Sequence, residues 1–348
     1  MGQTLGELDE ATSPWHVPVG VVSHTGTGLL LTGGVGYQSK LRGASADNIL
    51  EVTIITSDGQ IHTCSKDEEA DLFFAVRGAA PNVGIVTEVK TRCFQLPTVL
   101  GTLRVWPLTV ENLKRLVEWA DQDEVLDDNT ITPYIGLIPS PDNDPLCCIH
   151  VVCIGTADND DKYNALIDQL KGTGDLPLLE TGRVPFKVPQ TIFDAAFARG
   201  HWYVSQAYIP GQNTIPLKAI EDIVETYTNL PMEKLAASIV LEQRGNVDAG
   251  YHQFASTSCA QPRYGQRWEI YTFVKQTGAE NLEDVRKHGR DIKNTLSKHC
   301  ESGGRVHFTR DEPGKIEYYY GENSARLREV VAKYDPIRLF ATCNGMEF

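Results

Sequence analysis

Alternating apolar and polar positions predict a hairpin, a helix and a further strand in the N-terminal part of the chain. From Asn48 the stretch "NILEVTIITSDGQIHTC" predicts two strands joined at Asp58-Gly59, because Asp-Gly supplies the positive φ angles of a tight turn. The next stretch, "DEEADLFFAVRGAAPNVGIVTEVKTRCFQL", predicts a helix over 70–76, a glycine-rich turn and a strand over 84–94.

Beyond Pro97, helical and strand patterns are interspersed. Amphipathic spacing predicts helices in "TVENLKRLVEWA", "PLKAIEDIVETY" and "NLEDVRKHGRDIKNTLSKH". Strands are predicted in "CCIHVVCI", "AASIVLEQ" and "RWEIYTFV", between loops rich in Gly, Pro, Asn and Asp. Because the two types do not alternate strictly as βαβ units, the pattern indicates an α+β fold.

Length and charge restrict the class of partner. A chain of 348 residues can form about two domains. Its formal net charge of −14 would be repelled by nucleic acid and by an anionic membrane surface. Apolar runs such as "ILEVTII" are too short to cross a bilayer, and the N-terminal stretch does not have the pattern of a signal peptide. We therefore expect a small-molecule partner, no nucleic acid and no membrane, and we assign no compartment.

The cysteines do not have the spacing of a metal site. None of the eight forms the paired C-x-x-C pattern of a structural zinc site. Cys147, Cys148 and Cys153 fall in an apolar run, where cysteine usually behaves as a small hydrophobic residue. We expect mostly reduced thiols and no metal.

The densest glycine cluster lies in "SHTGTGLLLTGGVGYQSKLRGASADNILEV", residues 23–52. Glycine lets the backbone take positive φ and turn N–H groups toward an anion. A dinucleotide fingerprint would need glycine where Leu31 stands, and a P-loop would need Lys and Ser or Thr where Gly34 and Val35 stand. On spacing alone, another kind of phosphate cradle and simple turns between strands both stay open.

Short motifs continue from this glycine loop to residue 94. Thr25-Gly26, Gly33-Gly34, Asp58-Gly59, "DLFFAVRG" and "NVGIVT" follow in order. Together they resemble the second half of the PCMH-type FAD-binding domain of berberine-bridge-enzyme-like FAD-linked oxidases, in the vanillyl-alcohol oxidase superfamily. The stretch "YYGENSARLREVVAKYDPIRLF", residues 319–340, is similar to that family's C-terminal segment.

The resemblance implies a domain organisation. A partial FAD-binding domain would span 1–98, and a C-terminal segment over 311–348 would return to it. Between them, residues 99–310 would form an α+β substrate domain with an antiparallel sheet covered by helices.

The resemblance also implies FAD as the cofactor. The residues expected to lie along the flavin are Ser23, His24, Thr25, Gly26 and Gly28. Gly33 and Gly34 would lie near the diphosphate, and Gly84, Ile85 and Val86 would offer backbone groups. Asp47 is expected to brace the loop. The family's attachment histidine and cysteine are not present in this sequence, so we expect non-covalent binding.

The chain departs from the family pattern at two points. In the family, the FAD-binding domain begins well upstream of the glycine loop, and Thr32 stands here in place of the first glycine of a triplet. Three hypotheses stay open. The chain could be a truncated FAD-linked oxidase of a small secondary-metabolite or sugar-like substrate. It could be a cofactor-free, redox-neutral or non-catalytic relative, or a partner chain could complete its FAD-binding domain.

The catalytic candidates come from two predicted strands. In the family, hydride passes from a substrate C–H bond to flavin N5, a side chain removes the accompanying proton, and oxygen reoxidises the flavin. Strand alternation puts Glu269 and Tyr271 of "RWEIYTFV" on one face. Because the family's base is commonly Glu or Tyr on such a strand, these two are the first candidates. Glu242 is the second, with a solvated strand-end carboxylate as its alternative. His307 is a further pocket candidate.

Overall fold

A computed structural model of the chain describes residues 2–172, 175–254, 258–263, 265–277, 282–301 and 316–340. His307 and Cys343 lie outside the described residues. The strands are β1 (Trp15–His16), β2 (Ile49–Ile55), β3 (Ile61–Ser65), β4 (Ile85–Thr91), β5 (Phe94–Gln95), β6 (Thr98–Pro107), β7 (Ile131–Pro139), β8 (Pro145–Cys153), β9 (Leu176–Pro185), β10 (Trp202–Tyr208), β11 (Leu235–Gln243) and β12 (Trp268–Gln276). The helices are α1 (Leu5–Thr12), α2 (Ser39–Arg42), α3 (Ala70–Ala79), α4 (Val110–Asp121), α5 (Asp123–Leu126), α6 (Asp160–Asp168), α7 (Lys187–Thr191), α8 (Leu217–Thr228), α9 (Gly250–Gln253), α10 (Leu282–Leu296), α11 (Ile316–Tyr320) and α12 (Ser324–Tyr334).

A large antiparallel sheet dominates the described part of the chain. Its seven strands follow the order β10-β12-β11-β7-β8-β6-β9. Alternate side chains, such as Ile149 and Val151 on β8 and Ile239 on β11, share a core with Leu116 of α4 and Ile223 of α8. Each fully buried aliphatic side chain of this kind contributes about 1.5–3 kcal/mol. The helices therefore cover one face of the sheet, and the other face lies toward the glycine loop.

A smaller sheet, in the order β3-β2-β4, packs in a second core. Val52 and Ile54 of β2 are fully buried there with Phe74 of α3. Leu327 and Val331 of α12 complete this core from the far end of the chain. The N-terminal and C-terminal segments thus share one core, separate from that of the large sheet. The exact domain boundaries at residues 98 and 310 stay a prediction.

The α+β class predicted from the sequence is confirmed. Strands β2 and β3 form the predicted hairpin, with Gly59 at φ +79°. The helix predicted over 70–76 is present and kinks at Gly78. The single strand predicted over 84–94 is wrong, because β4 ends at Thr91. The chain then changes partner, and Phe94 of β5 pairs with His16 of β1 instead of with β2.

The cysteines, the potential metal ligands and the helix lengths bear on the remaining sequence-based expectations. The seven cysteines in the described ranges are free, and Cys147, Cys148 and Cys153 are buried in the large sheet. In these same ranges no group of three or more His, Cys, Asp or Glu residues could hold a metal ion. No described helix has the length and apolar character needed to span a membrane.

Candidate active site

A cavity of about 510 Å³ separates the glycine loop from the uncovered face of the large sheet. Residues between Gly20 and Val35 form the loop wall, and strands β7, β8, β10, β11 and β12 contribute to the sheet wall. The third wall is the segment over residues 187–200, here called the cover segment, which contributes Phe193 and Phe197. The cavity is therefore built by parts of the chain that are far apart in sequence.

The loop wall contains part of the predicted flavin site. His24, Thr25 and Gly28 line the cavity. Helix α1 holds this stretch in place, since the amide of Leu5 donates to the carbonyl oxygen of Thr25 at 2.8 Å. A Cβ atom on Gly26 or Gly28 would meet no other atom within 4 Å. The backbone of this stretch is thus open to close approach by a ligand.

Gly33 and Gly34 have a different environment. Both have positive φ angles, +116° and +73°. A Cβ on Gly33 would overlap the side chain of Gln261, and a Cβ on Gly34 would overlap that of Ser45. Packing within the protein therefore requires glycine at both positions, and their contact with a diphosphate stays a prediction. Asp47 braces the loop as expected, accepting from the amide of Ala44 at 2.7 Å.

The backbone groups predicted at Gly84, Ile85 and Val86 lie apart from this cavity. The amide of Gly84 donates to the carbonyl oxygen of Ala80 at 3.2 Å. Ile85 and Val86 begin β4, an edge strand of the small sheet, and the Ile85 side chain is 59% exposed. Any contact of theirs with FAD would be made outside the cavity, and it also stays a prediction.

The sheet wall brings together the predicted catalytic residues. Glu242 of β11 lies directly opposite Tyr134 of β7 on one side and Glu269 of β12 on the other. In the neighbouring row, Tyr271 lies opposite Val240. Glu242, Tyr271 and Tyr134 line the cavity, and Glu242 is the one carboxylate among the described residues that do so.

Glu269 lies on the same face of the sheet as Glu242, outside the cavity lining, in a network of hydrogen bonds. Its carboxylate is 1% exposed and accepts from the Arg244 Nε at 2.8 Å and from the Tyr271 hydroxyl at 2.5 Å. The other carboxylate oxygen accepts from Gln266 Nε2 at 2.5 Å and from the Tyr251 hydroxyl at 3.3 Å. With these four partners and almost no exposure, Glu269 does not line the cavity, and a catalytic role for it stays a prediction.

Arg244 connects the two carboxylates. Its side chain is 2% exposed and donates to Glu242, Glu269 and the Tyr271 hydroxyl. Burial opposes its charge, but Glu269 and Glu242 outweigh that effect and hold the pKa of Arg244 well above its ordinary value. Burial, with Glu242 nearby, also raises the pKa of Tyr134 well above its ordinary value, so this phenol is neutral at physiological pH. Arg244 thus joins the carboxylate that lines the cavity to the one that does not.

Sequence reasoning did not identify Arg244. Its position in "LEQRGN", two residues after Glu242, could have indicated it, because a carboxylate that is buried needs a cationic partner. Sequence reasoning also did not identify Asp194, which accepts from the amide of Ser23 at 2.9 Å and from its hydroxyl at 2.5 Å. These bonds tie the cover segment to the glycine loop across 171 positions of sequence, and no local pattern predicts such a contact.

The loop wall fits a flavin ring, because Gly26 and Gly28 leave open space beside the backbone. The same test fails for a phosphate on the Cα side of Gly33 and Gly34, because Gln261 and Ser45 occupy that space. Ser23, predicted to lie along the flavin, is engaged by Asp194 instead of lining the cavity. The residues present thus support the ring end of FAD, and they leave its diphosphate end unassigned.

Comparison with known proteins agrees with this architecture. A family profile described as "Berberine and berberine like" matches residues 310–346. The FAD-linked oxidoreductase sorD of Penicillium rubens is 42% identical over 97% of this chain and 74% of its own length. The carbohydrate oxidase of Microdochium nivale superposes with a TM-score of 0.81 at 20% identity, covering 99% of this chain and 76% of that one. The 6-hydroxy-D-nicotine oxidase of Arthrobacter nicotinovorans superposes with a TM-score of 0.77 at 22% identity, covering 98% and 76%.

The fold is that of the FAD-linked oxidoreductases. The chain belongs to the berberine-bridge-enzyme-like family of these proteins. It spans about three quarters of the length of the relatives that match it throughout.

Proposed function

We propose that this protein is an FAD-dependent oxidase of a small molecule that carries a hydroxyl or amino group next to the oxidised carbon. The observation that carries the proposal is the position of Glu242. This carboxylate lines the cavity on the wall opposite Gly28, whose backbone is open to a ligand. A proton acceptor and the backbone proposed to hold the flavin ring thus line one cavity.

The residues of the sheet wall have distinct roles in this proposal. Glu242 accepts the proton from the substrate hydroxyl or amine, and Arg244 holds its carboxylate in place through an ion pair. Tyr271, the second catalytic residue, lines the cavity with a hydroxyl that Glu269 orients at 2.5 Å. Arg244 and Glu269 act as positioning residues, since neither lines the cavity and both donate or accept hydrogen bonds at Tyr271.

The substrate loses a hydride and a proton. When bound, FAD supplies the hydride acceptor, at its N5 position, and returns the electrons to oxygen. His24, Thr25 and Gly28, which line the cavity, are the residues proposed to hold the flavin ring. The apolar side chains of the cover segment exclude water from the place where the proton is transferred.

The first experiment asks whether the purified chain binds FAD. A yellow protein, or a colourless one that gains a flavin spectrum when titrated with FAD, is expected. A protein that takes up no FAD would refute the proposal and favour the alternative, a cofactor-free relative on the same scaffold.

The second experiment tests Glu242 in the FAD-loaded protein. In Glu242→Gln, anaerobic flavin reduction by an active substrate should slow by about 10²–10⁴-fold, because the proton acceptor is lost. Glu118→Gln on α4, whose side chain is 62% exposed, is the matched control and should keep the rate. A Glu242→Gln protein that reduces its flavin as fast as the control would remove Glu242 from the mechanism.

A further inference from the structure

The uncovered face of the large sheet changes from polar to apolar along its strands. Its first cross-strand row holds Glu242 and Tyr134, and the second holds Tyr271, Val240 and Gly136. The third holds Val204, Phe273 and Ser238. Since Glu242 and Ser238 are four residues apart on one strand, the two ends of this gradient lie about 13 Å apart.

Aromatic rings close the apolar end of the cavity. The ring centroids of Phe197 and Phe273 are 4.8 Å apart, and Trp202 lies 5.9 Å from Phe197 and 6.5 Å from Phe273. Tyr271 and Phe273 are 6.4 Å apart with their planes inclined by only 23°. All four rings line the cavity. Such a surface binds a flat, apolar ligand well, and it offers few partners to a molecule covered with hydroxyl groups.

Among the described residues, the centre of the wall carries no charged side chain. Gly136 lies between Val240 and Cys148, and the Cys148 Sγ occupies the space beside it, since a Cβ atom on Gly136 would come within 2.8 Å of that sulfur. Gly136, Val240 and Cys148 all line the cavity, so the middle of the wall offers apolar surface between the carboxylate and the aromatic rings.

From this gradient we infer that the cavity takes a planar, conjugated or aromatic substrate with a single hydroxyl or amine at one end, and not a carbohydrate. The polar group contacts Glu242 and Tyr271, and the flat body packs on Phe197, Trp202 and Phe273. A sugar would bury several hydroxyl groups against side chains that cannot pair with them, which costs free energy for each group. This inference rests on the proposed function for the identity of the site, and it adds the class of substrate.

Equilibrium binding to the FAD-titrated protein tests the inference without depending on turnover. The probes are cinnamyl alcohol, which has both features, β-methylstyrene, which lacks the hydroxyl, and cellobiose. Binding is followed by calorimetry and by tryptophan fluorescence. Cinnamyl alcohol should bind at least about tenfold more tightly than either other probe, a difference expected from one aromatic contact surface plus one hydrogen-bonded polar group.

Two variants separate the ends of the cavity. Phe273→Ala should weaken binding of cinnamyl alcohol about tenfold and leave that of cellobiose unchanged. Phe94→Ala, at a phenylalanine that packs under Arg42 away from the cavity, is the matched control and should change neither. Tighter binding of cellobiose than of cinnamyl alcohol, or an unchanged affinity in Phe273→Ala, would overturn the inference.

The outcomes keep the two proposals apart. A protein that prefers cinnamyl alcohol but takes up no FAD would support the substrate class and refute the oxidase function. A protein whose flavin is reduced by cellobiose and not by any conjugated alcohol would support the oxidase function and overturn the substrate class.

Discussion

Removing the charge of Arg244 should destabilise the protein strongly, because two buried or nearly buried carboxylates lose their bonds to its guanidinium. In Arg244→Met, Glu269 would stay 1% exposed and Glu242 14% exposed, both without their guanidinium partner. Breaking a buried ion pair from one side costs about 3–5 kcal/mol. Since Glu269 keeps its bonds from Tyr271, Tyr251 and Gln266, we expect about 3 kcal/mol, the lower end of that range. This is a large part of the ~5–15 kcal/mol that stabilises a typical protein.

The assay is equilibrium unfolding in urea, followed by far-ultraviolet circular dichroism, with a double-mutant cycle. In Arg244→Met/Glu269→Gln, the second change removes the buried carboxylate that Arg244 contacts. The loss of unfolding free energy in the double variant should therefore be smaller than the sum of the two single losses by about 1–3 kcal/mol. Arg326→Met is the control, because its ion pair with Asp71 is 40% and 66% exposed and should cost less than about 1 kcal/mol. Additive effects in the cycle, or a loss in Arg244→Met no larger than in the control, would refute the reasoning.

Three further predictions concern pH and the cover segment. Burial lowers the pKa of Lys40 to about 7, so between pH 7 and about 10 the unfolded chain binds one more proton at this residue than the folded protein does. The free energy of unfolding should therefore rise with pH over this range. Midpoints of urea unfolding should show this rise in the parent protein and not in Lys40→Met. Burial likewise lowers the pKa of His150 to about 4, so stability should fall as pH drops from about 6.5 toward 4, by up to about 3 kcal/mol. His150→Phe should flatten that fall, and an equally steep profile in this variant would exclude His150 as its source. Asp194→Asn should weaken the hydrogen bonds from Ser23 that hold the cover segment. Amide hydrogen exchange over residues 187–200, measured by mass spectrometry, should then become faster. Unchanged protection there would show that Asp194 does not hold the cover segment.

Many of the helices and strands could be predicted from the sequence. The hairpin at Asp58-Gly59, the three long amphipathic helices, and strands β8, β11 and β12 follow from short-range periodicity and turn chemistry. Strands β6, β7, β9 and β10 were not predicted. Their pairing across the sheet stabilises them, and that pairing joins segments distant in sequence.

The roles of the site residues were only partly readable. The alternation of β12 put Glu269 and Tyr271 on one face, and of these two Tyr271 lines the cavity. It could not rank Glu242 above Glu269, because the difference lies in exposure and in the partners that Arg244, Tyr251 and Gln266 supply. The glycines show the same limit. Gly28 faces open space while Gly33 packs against Gln261, although both stand in one glycine-rich loop.

The sequence by itself determined the fold class, the elements with strong periodicity, and the family, whose motifs are contiguous stretches at both ends of the chain. Only the tertiary structure decided which carboxylate reaches the cavity, which glycines are open to a ligand, and which segment covers the site. Periodicity and motifs report interactions between near neighbours in sequence. Burial, ion pairing and cavity walls depend on side chains that folding brings together from distant positions, as it does Ser23 and Asp194, which are 171 positions apart in sequence.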